Sequence, residues 1–281
     1  MESIAKNKIG NGLGYICVGA WILFTFILIG WVFFASLSTS QEIFSDHMFS
    51  FKSGFHFENY VKAWRTQRVS TYFLNSVLYT AVSCTFIILI SAPAAYTLSR
   101  FRFKGNLFFQ NMFASALGIP VIMIIMPLFS VISVLRLTNN RIVLMFLYIA
   151  MNVPFGVFFL LSFFRKLSFT FEEAAAIDGC PAIETFWRIM FPLVQPGIVT
   201  VSIFNFITIW NEYFMSLIFA NKQAVRPVAV GLYNMIQSMR YTGDWGGMFA
   251  SVVIVFLPTF ILYILLSEKI IAGVTAGAIK G

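Results

Sequence analysis

Six long apolar runs, at residues 14–37, 72–98, 107–135, 142–164, 197–220 and 247–266, constrain this chain more than any other feature. A hydrocarbon core of about 30 Å needs about 20 residues of helix at 1.5 Å rise per residue, and every run meets that length. Only the fifth carries a charge, Glu212. In lipid each backbone N–H and C=O must be satisfied within the chain, which a helix does by itself. The expected fold class is therefore an all-α membrane protein with six transmembrane helices. Composition agrees: 59% of residues are hydrophobic, 11% are charged, and 34 are Phe.

The 19 Lys and Arg give a net charge of +8 and fall mostly at the flanks of the apolar runs, which points to lipid headgroups and not to nucleic acid as their partner. Lys6 and Lys8 precede the first run, read as a retained first span, with cleavage after Ala35 as the alternative. Arg100, Arg102 and Lys104 make the 99–106 loop basic, which favours the cytoplasm. Over all loops the cations divide almost evenly between the two sides, so charge does not fix orientation. Pro93, Pro120, Pro127, Pro154 and Pro258 lie within runs, where kinks are expected in place of breaks. Residues 59–64 suit a short interfacial helix. Cys17, Cys84 and Cys180 lack paired spacing, and His47 and His56 lack ligand-spaced partners, so neither a disulfide nor a metal site is expected. No G-x-x-x-x-G-K cradle for nucleotide phosphates and no catalytic constellation is present.

Between the fourth and fifth runs, residues 170–196 read TFEEAAAIDGCPAIETFWRIMFPLVQP and hold four of the eleven acidic residues. Thr170 and Glu173 have the spacing of a capping box, Ala174 to Ala176 propagate a helix at low entropic cost, and Gly179 can take the left-handed conformation that stops it. Pro181 prevents continuation. A second helix from Ala182 would set Ile183, Phe186, Trp187 and Met190 on one face until Pro192 and Pro196 turn the chain. On physics alone this is an amphipathic helix pair lying on a membrane surface.

The full pattern, Glu173-Ala174-Ala175, three residues, Gly179, nine residues, Ile189, one residue, Phe191-Pro192, resembles the E-A-A-x3-G-x9-I-x-L-P loop of membrane subunits in ATP-binding-cassette importers. Phe191 stands where that family has Leu. Asn75-Ser76, Trp210-Asn211-Glu212 and the terminal 273–281 stretch resemble the carbohydrate-importing, maltose-type branch. The resemblance implies a single permease domain over 1–281, with a five-span core at 72–266, a cytoplasmic coupling loop at 170–196 and a cytoplasmic tail at 267–281. It implies that Glu172, Glu173, Ala174, Ala175, Asp178 and Gly179 dock onto an ATPase subunit. Both termini would be cytoplasmic, in the cell membrane of a bacterium. The implied partners are a second homologous permease, two ATP-binding-cassette ATPase subunits and an extracytoplasmic solute-binding protein. ATP and Mg²⁺ would be bound by the ATPase, leaving this chain without cofactor or catalysis of its own. The tail would reach the ATPase pair as extended backbone, and residues 221–246 would face the binding protein, although Tyr241 to Trp245 equally suit an interfacial aromatic belt with a turn.

Glu212 is a functional candidate because a carboxylate within a span is costly unless paired or wet. With Asn205, Trp210 and Asn211 it offers the stacking and hydrogen-bonding groups that sugars use, so these four form a candidate translocation path. Interhelical hydrogen bonds are the competing use of both Asn residues. The reading is a permease subunit of an ATP-driven carbohydrate importer. The alternatives are an ABC importer of a non-sugar solute and an ion-coupled secondary transporter.

Overall fold

The structure is a computed structural model and describes residues 2–45 and 53–278. Its helices are α1 (Glu2–Ser36), α2 (Ser40–Ile43), α3 (Glu58–Arg65), α4 (Val69–Arg100), α5 (Asn106–Ala116), α6 (Val121–Val134) and α7 (Arg141–Lys166). There follow α8 (Thr170–Ile177), α9 (Ala182–Thr185), a π-helical turn (Phe186–Met190), α10 (Phe191–Leu193), α11 (Gln195–Trp210), α12 (Phe214–Phe219), a 3₁₀ turn (Gln223–Val225), α13 (Val228–Thr242) and α14 (Trp245–Ala278). Among the described residues there is no strand.

Among the described residues four helices are long and apolar enough to cross a membrane: Gly14–Ser36 within α1, α4, α7 and Trp245–Glu268 within α14. The expected third span is a bent pair, α5 and α6 meeting at 96°. The expected fifth, 197–220, is divided between α11 and α12, and α11 pairs instead with the preceding Ala182–Leu193, which it meets at 74°. Pro120 thus breaks its run instead of kinking it. Pro120 caps α6 in an extended conformation (ψ 124°), and a residue preceding proline is driven out of the helical region, so the chain turns at Gly118 to Pro120. Pro93, Pro127, Pro154 and Pro258 remain inside helices as expected. The expected short helix at 59–64 is α3.

The chain divides into two compact units, Met1–Ser70 with Leu232–Leu257, and Thr71–Gly231 with Pro258–Gly281. In the first, Ala63, Val69, Met235 and Ala250 form a small core. Asp244, just before α14, binds Lys62 (3.0 Å) and Gln67 (2.8 Å). Asn59 donates to the carbonyls of Ser36 and Ser38, both at 3.0 Å, so α3 is tied to the end of α1.

In the second unit α4 presents Ser83, Ile87, Ser91 and Ala95, one per turn and fully buried. Ser91 Oγ donates to the Val153 carbonyl at 3.3 Å, and a Cβ placed on Gly156 would lie 2.5 Å from that hydroxyl. Small residues let α4 and α7 come close at this point, the general route to packing where lipid supplies no hydrophobic drive. At the start of α4, Asn75 donates to the carbonyls of Ala224 (3.0 Å) and Arg226 (2.9 Å), and Ser76 Oγ accepts from the Val228 N–H (2.9 Å). These bonds satisfy the irregular backbone before α13.

α14 runs as helix to Ala278, so the extended tail expected from Gly273 is not found, and 279–281 lie outside the described residues. Two glycines cost a helix about 1 kcal/mol each, less than the loss of the internal backbone bonds that an extended stretch would forgo.

Candidate functional site

α8 projects from the end of α7 with one face open. Phe169 is already helical (φ −67°, ψ −17°), so the helix winds up one residue early. Ser168 Oγ then accepts from the Thr170 N–H (3.2 Å) and the Thr170 hydroxyl (2.8 Å). The capping box expected of Thr170 and Glu173 is replaced by this serine. The far end closes as expected: Gly179 has φ +73°, the Cys180 N–H reaches the Ala175 carbonyl (2.9 Å) and the Gly179 N–H that of Ala176 (3.1 Å). Together these are the two bonds of a Schellman motif.

The six residues assigned to docking divide between two faces. Glu173, Ala174, Asp178 and Gly179 are exposed, together with Phe171 and Ile177, the latter 86% exposed. Ala175 is buried, and Glu172 turns inward against the end of α4. Its Oε1 lies 2.7 Å from Arg100 Nε in an ion pair whose N–H is not aligned along the contact. Arg100 also donates to the Leu167 carbonyl (2.8 Å) and stacks 4.3 Å over the Phe169 ring. Burial pushes the Glu172 carboxyl above its ordinary pKa, and the Arg100 charge opposes that shift without cancelling it.

Beyond Pro181 the expected single apolar face is split. Phe186 and Met190 are buried, with the Phe186 ring 5.1 Å from that of Tyr96, whereas Ile183 and Trp187 are exposed. The cause is the π turn. Pro192 has no N–H to give the Arg188 carbonyl, and the helix widens so that Phe191 N–H bonds Phe186 O, which shifts the register of everything before it.

The fifth run is not one helix. α11 stops at Trp210, and Asn211 to Tyr213 separate it from α12. Glu212 lies in that break and its carboxylate serves the next helix: it accepts from the N–H of Met215 (2.6 Å) and Ser216 (2.9 Å) and from Ser216 Oγ (2.6 Å). The Tyr148 hydroxyl of α7 closes the cluster, 3.2 Å from the carboxylate and in contact with Ser216 Oγ. A carboxylate within an apolar run is therefore explained by the orphan N–H groups that a broken helix creates.

Trp210 is buried, stacked on Phe206 (5.5 Å, 10°) and edge-on to Phe73 (5.5 Å). These three rings line an apolar cavity of 530 Å³ among α4, α11 and the second half of α14, whose wall carries the hydroxyls of Thr80 and Ser202. Asn205 is buried, and its amide N–H₂ has no acceptor among the described residues. Asn211 is exposed and donates back to the Ile207 carbonyl at 2.8 Å. Glu212 and Trp210 thus lie close together in sequence but serve different neighbours.

His56 bonds Ser53 (2.8 Å) and Glu58 (3.1 Å), and His47 lies outside the described residues. Among the described residues no three His, Cys, Asp or Glu side chains group as metal ligands. Arg100 is the residue that the sequence did not single out. It counted there only toward the charge of a basic loop.

The family described as binding-protein-dependent transport system inner membrane component matches residues 65–268. A probable ABC transporter permease of Bacillus subtilis is 36% identical over 251 residues, 89% of this chain and 82% of the relative. The diacetylchitobiose uptake system permease of Streptomyces coelicolor is 33% identical over 260 residues, covering 92% and 86%. The trehalose/maltose transport system permease of Thermococcus litoralis is 31% identical over 271 residues, covering 96% and 95%. A crystal structure of a bacterial ABC transporter that imports the acidic polysaccharide alginate shares the fold, with a TM-score of 0.79 at 22% identity over 94% of this chain and 97% of that one. By the extent of the family match and the identity to these permeases, this chain belongs to the inner membrane components of binding-protein-dependent transport systems.

Proposed function

We propose that this chain is the permease subunit of an ATP-driven carbohydrate importer, in which α8 passes the motion of a separate ATPase to the spans. The observation that carries the coupling step is the geometry of α8. An eight-residue helix, closed at both ends by its own caps, offers Phe171, Glu173, Ala174 and Ile177 to a partner while its other face is fastened to α4. The small Ala174 permits close approach, exposed Ile177 supplies apolar area, and Glu173 and Asp178 suit basic groups. With each bent pair counted as one span, six spans put α8 on the same side as both termini, and the 39–71 segment on the other. That side is the cytoplasm in this reading.

ATP binding closes the ATPase pair, draws the two docked helices together and opens the pathway toward a loaded binding protein; hydrolysis resets it. Two sites and two global states are thereby linked through one rigid element. The saccharide names of the relatives support a carbohydrate cargo. The 530 Å³ cavity is too apolar to hold one alone, since its two wall hydroxyls would leave most of a sugar's hydroxyls unpartnered at about 1–3 kcal/mol each. Sugar contacts then come from a pathway shared with a second permease, to which Asn205, Trp210 and Asn211 contribute, while the Glu212 carboxylate is occupied in capping α12.

Co-purification with the cognate ATPase tests the docking. Gly179→Pro and Glu173→Lys should each lose the complex; full retention by both, with binding-protein-stimulated hydrolysis intact, refutes it. A panel of saccharides screened for thermal stabilisation of the cognate binding protein identifies the cargo, because a ligand of the folded state raises its melting temperature.

A further inference from the structure

We infer that Arg100 is the joint that makes α8 move as one body with α4, so that displacement of the docked helix reaches the spans through this side chain. The inference rests on the proposed docking of α8 and adds a positioning residue to it. Three contacts converge on one guanidinium: the ion pair with Glu172 (2.7 Å), the bond to the Leu167 carbonyl in the α7–α8 link (2.8 Å) and the stack on Phe169 (4.3 Å). They fix the start of α8, its first turn and the connecting backbone to a single point at the end of α4. The Arg100 side chain is only 4% exposed and that of Glu172 18% exposed, so the pair is held away from the solvent screening that makes surface pairs weak.

Neither group contributes cheaply to stability. Burying an ion pair costs about as much as the pairing returns, and the advantage that remains is a unique geometry. Arg suits that role better than Lys, because its planar fork engages carboxylate, carbonyl and ring at once without losing charge. α7 gives α8 a covalent connection, but Leu167 to Phe169 is a three-residue link that can pivot. Arg100 removes that freedom. Its carrier helix α4 is in turn seated on α7 by the Ser91–Gly156 approach and on the backbone before α13 by Asn75 and Ser76. A push on α8 is therefore delivered along the whole length of α4.

The test is hydrogen exchange on the intact importer in lipid nanodiscs, nucleotide-free and with ATP, Mg²⁺ and vanadate. In wild type, amides of α8 and of the Arg100 end of α4 should both change exchange rate on nucleotide trapping. In Arg100→Met the α8 response should persist, since its exposed face is intact, and the α4 response should be lost. Arg100→Lys, which keeps a cation near Glu172, should recover part of it. Should Arg100→Met fail to accumulate, the double variant Glu172→Gln with Phe169→Ala carries the test, because it removes the charge of the ion pair and the ring under the guanidinium together. An α4 response undiminished in Arg100→Met, or in that double variant, overturns the joint. A wild-type complex in which α8 itself ignores nucleotide overturns the docking beneath it, and the two failures are thereby distinguishable.

Discussion

Removing the Glu212 carboxylate should destabilise the protein before it affects any transported solute. In Glu212→Ala the N–H groups of Met215 and Ser216 lose the carboxylate that accepts from them at 2.6 and 2.9 Å, while Ser216 Oγ and the Tyr148 hydroxyl can still pair with each other. Two stranded backbone donors at about 1–3 kcal/mol each give about 2–6 kcal/mol. Glu212→Gln keeps one carbonyl acceptor and should cost about half as much. Thermal unfolding of the full chain in nanodiscs, followed by tryptophan fluorescence, should rank wild type above Gln above Ala. The Ala variant should fall by at least about 4 °C, at about 2 °C per kcal/mol for a chain of this size class. An Ala variant that melts with wild type would show that the carboxylate is not holding α12, and Glu212 would return to the transport path as a free acid.

Gly179→Ala and Gly179→Val should cost similar amounts, about 1–2 kcal/mol, because φ is +73° and no atom lies within 4 Å of a Cβ there; a strong dependence on side-chain size in thermal unfolding would contradict this. Gly156→Ala should cost about 1–3 kcal/mol by driving α7 off Ser91, and Ser91→Gly in the same chain should recover most of it if the 2.5 Å approach is the cause. Glu42 is held down to about 2 by hydrogen bonds from the Ser53 hydroxyl, the Thr39 N–H and the Ser53 N–H. The unfolded chain therefore binds that proton more tightly. The stabilisation is complete above the ordinary value of 4.5 and is lost as pH falls toward about 2, which amide exchange at Ser53 should follow and Glu42→Gln should abolish.

The sequence made the apolar lengths and the left-handed Gly179 legible because each depends on local chemistry alone. The breaks were not legible. A proline at 120 and one at 154 look alike in sequence, yet one ends a helix behind Gly118 and Ile119 and the other is absorbed in α7. Nor does hydropathy distinguish a continuous fifth span from α11 and α12 with a carboxylate capping the gap. Glu172 and Glu173 are chemically identical neighbours, and only the direction of the helix face sends one to Arg100 and the other to solvent. The inward partner could be found only through contact with residue 100, more than 70 positions upstream, which no local pattern reports.

The widened turn at Phe186–Met190 carries one residue more than regular winding would use. Losing one amino acid anywhere in it would let the segment relax into ordinary helix and swing all that precedes it by about 100° relative to α11. The exposed side chains there are free to drift, but their number is not, and a single-residue indel would redirect the open side of α8 while leaving Glu173-Ala174-Ala175 and Gly179 unchanged and altering only the nine-residue spacing that follows.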